Sequence, residues 1–268
     1  MTTRPRGAGD VLTSGISMLA KVWRSLVAPS VGAYILLGAL TLVTFQMTGA
    51  NEFLTLSFND PQVLEDMAAE EFLEVSTPFV QALLIGLVFQ ILASAFISLA
   101  ASRVVGSEIE GERISGGSAS RFALSRMLTM TVIGLITAVA VSVGLVLLVL
   151  PGVWLAVSVS LAPQIVALED RGVIASITRS IKLVRGRWWG TFGFLLLVGL
   201  VGSVAGWLLQ SVAVPLVAIG DVSTGLALVF VAGLIFQGLV VAAIAVVITM
   251  WYLELAARDE TEVRLTPS

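Results

Sequence analysis

The chain has 268 residues, 57% of them hydrophobic and 12% charged, with a formal net charge of −3. A soluble domain carries about 25% charged residues, so this composition excludes an ordinary soluble domain and indicates a membrane protein with several spans. With no cysteine and no histidine, it also excludes disulfides, thiolate metal sites, cysteine nucleophiles and the commonest near-neutral acid–base group.

Residues 1–8 read as an irregular lead. Asp10, Lys21 and Arg24 interrupt any apolar core after Arg4 and Arg6, so the start is not a secretory leader and the first span is expected to be retained. From Asp10 to Ser25, Val11, Leu12, Ile16, Leu19, Val22 and Trp23 share one side of a helix, opposite Thr13, Ser17, Lys21 and Arg24. Such a helix suits the headgroup layer; the alternative is that it simply begins the first span. That span is expected over 26–48.

Residues 49–78 form an acidic loop with seven carboxylates and no lysine or arginine. Within it, Asp60-Pro61 is a cap followed by a first-turn proline, which predicts a short helix. A second span follows over 79–105. It carries Gln90, Ser94, Ser98 and Ser102 at intervals of four, a spacing that aligns them on one face. In lipid such a face packs on a neighbouring helix or lines a polar path. Residues 106–126 are a mixed-charge loop with a break at ISGGSAS.

The third span is expected over 127–150 and the fourth over 153–168, with a reversal at Pro151-Gly152. At 16 residues, about 24 Å as a helix, the fourth is short, and Pro163 removes a backbone donor inside it. A re-entrant hairpin over 128–168 is the rival to two crossings. Residues 172–187 then form a second amphipathic helix, with Arg179, Lys182 and Arg185 on its basic arc. Arg187, Trp188 and Trp189 close it as an interfacial anchor. The fifth span covers 190–217, with Gly199, Gly202 and Gly206 on one face, and the sixth covers 226–252 before a polar tail.

This sums to an all-α integral membrane protein with six transmembrane helices and amphipathic interfacial helices, in one membrane domain. All 15 lysines and arginines fall on the side of the termini. Because cationic loops stay inside during insertion, both termini are expected in the cytoplasm, with Pro151-Gly152 outside. The basic segments before the first, third and fifth spans raise the possibility of three repeats, each a surface helix plus a membrane hairpin.

No Asp, Glu, Lys or Arg lies near the middle of a span, which argues against a proton-driven transporter. The external carboxylates lack the convergence that a metal site needs. Neither a cofactor nor a metal is expected. The basic cluster at Arg179, Lys182, Arg185 and Arg187, with Trp188 and Trp189, is the candidate for lipid headgroup contact. Gln90, Pro163, Gln164 and Gln210 are the candidate intramembrane polar site.

The stretch from Pro151 to Trp188 carries a resemblance. Pro151, Gly152, Trp154, Ala162, Pro163, Glu169, Ser180, Leu183, Val184, Arg185, Gly186, Arg187 and Trp188 look like the signature of a bacterial and archaeal membrane family. That family includes the membrane domain attached to some glycerophosphoryl diester phosphodiesterases, and many stand-alone multi-pass proteins. The phosphodiesterase activity belongs to a separate barrel domain whose catalytic histidines have no counterpart here.

The expected function is therefore a non-enzymatic, multi-pass plasma-membrane protein of a prokaryote, associated with lipids or with a partner. The alternative is a transporter, channel or export component without proton coupling. Membrane lipids, a membrane-protein partner or a second copy are the expected partners; nucleic acid is not.

Overall fold

The computed structural model describes residues 7–50, 52, 53, 56, 61–147, 149–213 and 222–265. Their elements are α1 (Ala8–Thr48), α2 (Pro61–Asp66), α3 (Ala69–Ile109), α4 (Gly116–Leu147), α5 (Val149–Val159), α6 (Ala162–Leu168), α7 (Val173–Arg185), α8 (Trp188–Ala213) and α9 (Val222–Leu265). The fold is all-helical. Six stretches are long and apolar enough to cross a membrane: Ala8–Thr48, Ala69–Ile109, Gly116–Gly144, Val149–Leu168, Trp188–Leu208 and Val231–Thr261.

The first departure from the sequence reading is at the start. Residues 10–25 are not a separate surface helix; they are the first turns of α1, which runs unbroken to Thr48 and ends at Gly49 with φ 76°, a left-handed cap that favours glycine. Part of the apolar arc meets protein, while Ile16 and Trp23 stay exposed. Val11 is 1% exposed and packs in a cluster with Val247, Trp251 and Leu255 of α9. Gly15 lies so close that a Cβ there would sit 3.0 Å from Val247. An apolar stripe reads alike whether lipid or a helix covers it, and here α9 supplies the cover.

Other boundaries move for similar reasons. Residues 69–78 of the acidic loop belong to α3, and Phe53 and Phe72 pack edge to face 6.2 Å apart, while Phe53 and Phe79 stack at 4.8 Å. A short helix does start at Pro61; its expected cap, Asp60, lies outside the described residues. The supposed break at ISGGSAS is a helix start. Ser115 accepts the Ser118 N–H at 3.3 Å, an N-cap bond, and α4 begins at Gly116. The polar tail is helical to Leu265. Only the third basic segment, α7, stands as a helix of its own; the basic residues before the first and third spans continue into α1 and α4.

At the heart of the bundle α1, α3 and α9 pack together. Between apolar helices in lipid, close packing and interhelical hydrogen bonds supply the association. Gly238 of α9 lets the helix backbones approach: a Cβ there would meet the Ser30 carbonyl oxygen at 2.7 Å. The Tyr34 hydroxyl, on α1, accepts from the Gln90 amide of α3 at 2.6 Å and also bonds Gln237 of α9. Lower down, Ser102 of α3 and Thr249 of α9 share a buried bond of 3.0 Å. The polar stripe of α3 thus binds helices together at both ends.

Candidate functional site

The stretch from Pro151 to Trp188 folds into one unit. α4 and the α5–α6 pair form an antiparallel hairpin. Gly144 and Gly152 face each other near its tip, a Cβ on Gly144 falling 2.8 Å from the Gly152 Cα. At its open end Arg126 pairs with Asp170. Pro151 and Gly152 lie inside the first turn of α5, where a proline is tolerated, and so are not the reversal itself.

The fourth span is split at Ser160 and Leu161. Pro163, expected inside a helix, occupies the first turn of α6, where a missing N–H leaves no bond unmade. A break inside a span frees backbone groups that must find partners. Ser180 of α7 supplies them: its hydroxyl donates to the Ser158 carbonyl at 2.7 Å and accepts from the Leu161 N–H at 3.3 Å. Leu183 and Val184, one turn on, bury into the same core as Val157 and Leu161.

The exit from α6 is a charge network. Glu169 accepts from the Tyr252 hydroxyl at 2.7 Å, from Arg179 at 3.2 Å and from Arg171 at 2.5 Å. Arg179 also donates to Asp259 at 2.5 Å. Burial pushes the Glu169 carboxyl up, but the hydrogen bonds from Tyr252 and Arg179 and the charges of Arg179 and Arg171 outweigh it, holding it below the usual range. Arg179 is raised: burial works against its charge, and the bonds to Asp259 and Glu169 prevail. Asp170, at φ 52°, makes the sharp turn into α7; aspartate is among the residues that tolerate that region.

This corrects one predicted lipid contact. Arg179 has a side chain only 16% exposed and is spent on Glu169 and Asp259. Lys182 is exposed and does not line the hollow described next. The remaining four predicted residues come together. Arg185, Arg187, Trp188 and Trp189 line a hollow of about 660 Å3 with Leu150, Pro151 and Trp154. The Trp188 indole N–H donates to the Trp154 carbonyl at 3.3 Å, while the Trp189 ring stands 77% exposed. Charge counting sets Pro151 and Arg187 on opposite membrane faces; the structure sets them side by side.

The predicted polar path is not assembled. Gln90 is committed to Tyr34. Gln164 is 2% exposed, and its Oε1 has no hydrogen-bond partner among the described residues. The hollow is lined by neither. Gln210 falls on α8, its side chain outside those described. Among the described residues no cluster of three or more acidic groups could hold a metal ion. Sequence reasoning missed Tyr252 and Asp259, although 252, 255 and 259 recur at helical spacing past the last span and Leu255 is buried.

Six apolar helices, hydrogen-bonded across their interfaces and closed by a basic, tryptophan-bearing end, define a multi-pass membrane protein. Residues 3–258 match a family model described as Domain of unknown function (DUF7847), and the chain belongs to that family. It is 32% identical over 108 residues to the UPF0259 membrane protein PC1_1998 of Pectobacterium carotovorum subsp. carotovorum (strain PC1), covering 40% of each chain. It is 34% identical over 125 residues to a UPF0259 membrane protein of Serratia proteamaculans (strain 568), covering 46% of this chain and 47% of that one. The matches thus span less than half the length of these curated relatives. No solved structure matches the chain.

Proposed function

We propose that the chain is a non-enzymatic, lipid-associated module of a prokaryotic plasma membrane, with both termini in the cytoplasm, that holds an anionic headgroup in the hollow beside α7. The observation that carries this reading is the meeting of Arg185 and Arg187 with Trp154, Trp188 and Trp189 around one cavity. Guanidinium groups match phosphate geometry, indoles favour the headgroup level, and each cation near an anionic surface contributes about 1 kcal/mol. The residues that resemble the membrane domain of glycerophosphoryl diester phosphodiesterases fall in this same unit, and on that resemblance we infer a kinship in architecture.

The test is tryptophan emission in nanodiscs as phosphatidylglycerol replaces phosphatidylcholine. Three of the six tryptophans line the hollow, so emission should shift with the anionic fraction, and Arg185→Gln with Arg187→Gln should abolish the shift. An unchanged response in that double variant would refute the headgroup site.

A second reading, a solute pathway, is favoured by one observation. The orphaned Gln164 Oε1 lies beside a broken span, and broken helices line substrate sites in many transporters. Flux into liposomes that disappears on Gln164→Leu would support it; flux no higher than in empty liposomes would end it.

A further inference from the structure

An apolar groove of about 530 Å3 runs between α1 from Ala28 to Leu40, α3 from Phe89 to Phe96, and α4 from Ser120 to Met127. Its length along α1 is about 18 Å at 1.5 Å per residue, close to one leaflet of a hydrocarbon core roughly 30 Å thick. At Gly32 a Cβ would meet nothing within 4 Å, so the groove is open there and not filled by a neighbouring side chain.

One end of this groove is basic. Arg24 precedes Ala28 by four residues and so continues the groove-lining face of α1. Arg103 follows Phe96 by seven on α3, and its guanidinium carbon lies 5.3 Å from the ring centroid of Phe122 on α4. Arg121 follows Ser120 of the groove wall in sequence and precedes Leu124 of that wall by three, the spacing of neighbours on a helix surface. The elements are tied at this end: Ser25 donates to the Ile114 carbonyl at 3.1 Å, and a Cβ on Gly116 would meet the Ser25 carbonyl oxygen at 2.5 Å. All three arginines are exposed, and none has a carboxylate partner among the described residues. Glu108 of the same region pairs with Arg113 instead, at 3.7 Å.

We propose that this groove is a binding site for one anionic phospholipid drawn from the bilayer, with an acyl chain between α1, α3 and α4 and the phosphate at Arg24, Arg103 and Arg121. An apolar slot of one leaflet's depth matches a chain. Three cations at one end, none of them paired with a carboxylate among the described residues, match the headgroup and distinguish this occupant from a neutral lipid or a partner helix. The site shares no residue with the hollow beside α7 and stands whether or not that reading holds.

The experiment is native mass spectrometry of the full chain released from nanodiscs of equal phosphatidylglycerol and phosphatidylcholine. Wild type should retain phosphatidylglycerol. At about 1 kcal/mol per cation, and 1.4 kcal/mol per tenfold, the combined Arg24→Gln, Arg103→Gln and Arg121→Gln variant should weaken that retention on the order of 100-fold. Gly32→Leu, which adds bulk where nothing stands, should remove it while all the arginines remain; the single Arg121→Gln should weaken it about fivefold and serves if the triple variant is not monodisperse. Equal retention of both lipids by wild type would overturn the proposal. So would loss with the arginine variants but not with Gly32→Leu, which marks surface adsorption, or loss with Gly32→Leu alone, which marks an apolar filler.

Discussion

The hydroxyl of Ser180 donates to the carbonyl of Ser158 at 2.7 Å, so a serine on one helix holds open a break in another. Without it, both the Ser158 carbonyl and the Leu161 N–H would lie buried with one partner fewer. Ser180→Ala is therefore expected to cost about 1–3 kcal/mol, the penalty of buried groups left unsatisfied. The measurement is a fall in the melting temperature of the detergent-solubilised protein, followed by tryptophan emission. A melting temperature equal to that of wild type would mean that the break is sustained by other contacts.

Glu169 gives the fold a pH dependence. Its carboxyl is held below the ordinary value near 4.5, so its contribution is complete above that pH and is lost as the pH falls through the depressed native value. Melting temperatures should drop more steeply below about pH 4.5 in wild type than in Glu169→Gln, and the two curves should converge at the acid end. Arg179→Gln should be the costlier change at neutral pH, because it takes the guanidinium from Asp259 and leaves Glu169 with Arg171 and Tyr252 only.

The small residues divide into those that matter and those that do not. On Gly238 a methyl group would meet the Ser30 carbonyl oxygen at 2.7 Å and its carbon at 3.1 Å, backbone atoms that cannot step aside. Gly238→Ala should destabilise by about 1–3 kcal/mol, the usual cost of overpacking. Gly206 meets nothing within 4 Å, so Gly206→Ala should leave the melting temperature unchanged within error. Of the glycine stripe on α8, only Gly202 touches α9, at the flexible tip of Ile244.

The chain contains no cysteine, so single cysteines report accessibility without background. If Leu150 and Arg187 share one hollow in the bilayer, cysteines at both positions should react with an impermeant maleimide from the same face of oriented vesicles. Labelling of the two from opposite faces would restore the full double crossing and dissolve the hollow.

Much of this architecture was legible in the residues. Apolar runs of span length marked the helices and their order. What was not legible came from contacts distant in sequence. Val11 and Val22 present the same stripe to α9 that they would present to lipid, so periodicity cannot separate a buried helix start from a surface helix. The break at Ser160 depends on a hydroxyl 20 residues further on. Arg179 and Arg185 are alike in the basic arc of α7, yet only the fold reveals that Glu169 and Asp259 come round to engage one, and the tip of α5 meets the other. Of the candidate site, the cluster from Arg185 to Trp189 was visible in the sequence; its counterpart Trp154 was quoted only as part of a motif.

Three helices are far longer than a bilayer requires. At 41, 41 and 44 residues, α1, α3 and α9 reach about 61–66 Å when straight, roughly twice the hydrocarbon thickness. Each therefore carries about as much length beyond one hydrocarbon core as within it. A small change in tilt among lipids, from a thinner bilayer or a bound chain, would swing the far ends by a comparable distance.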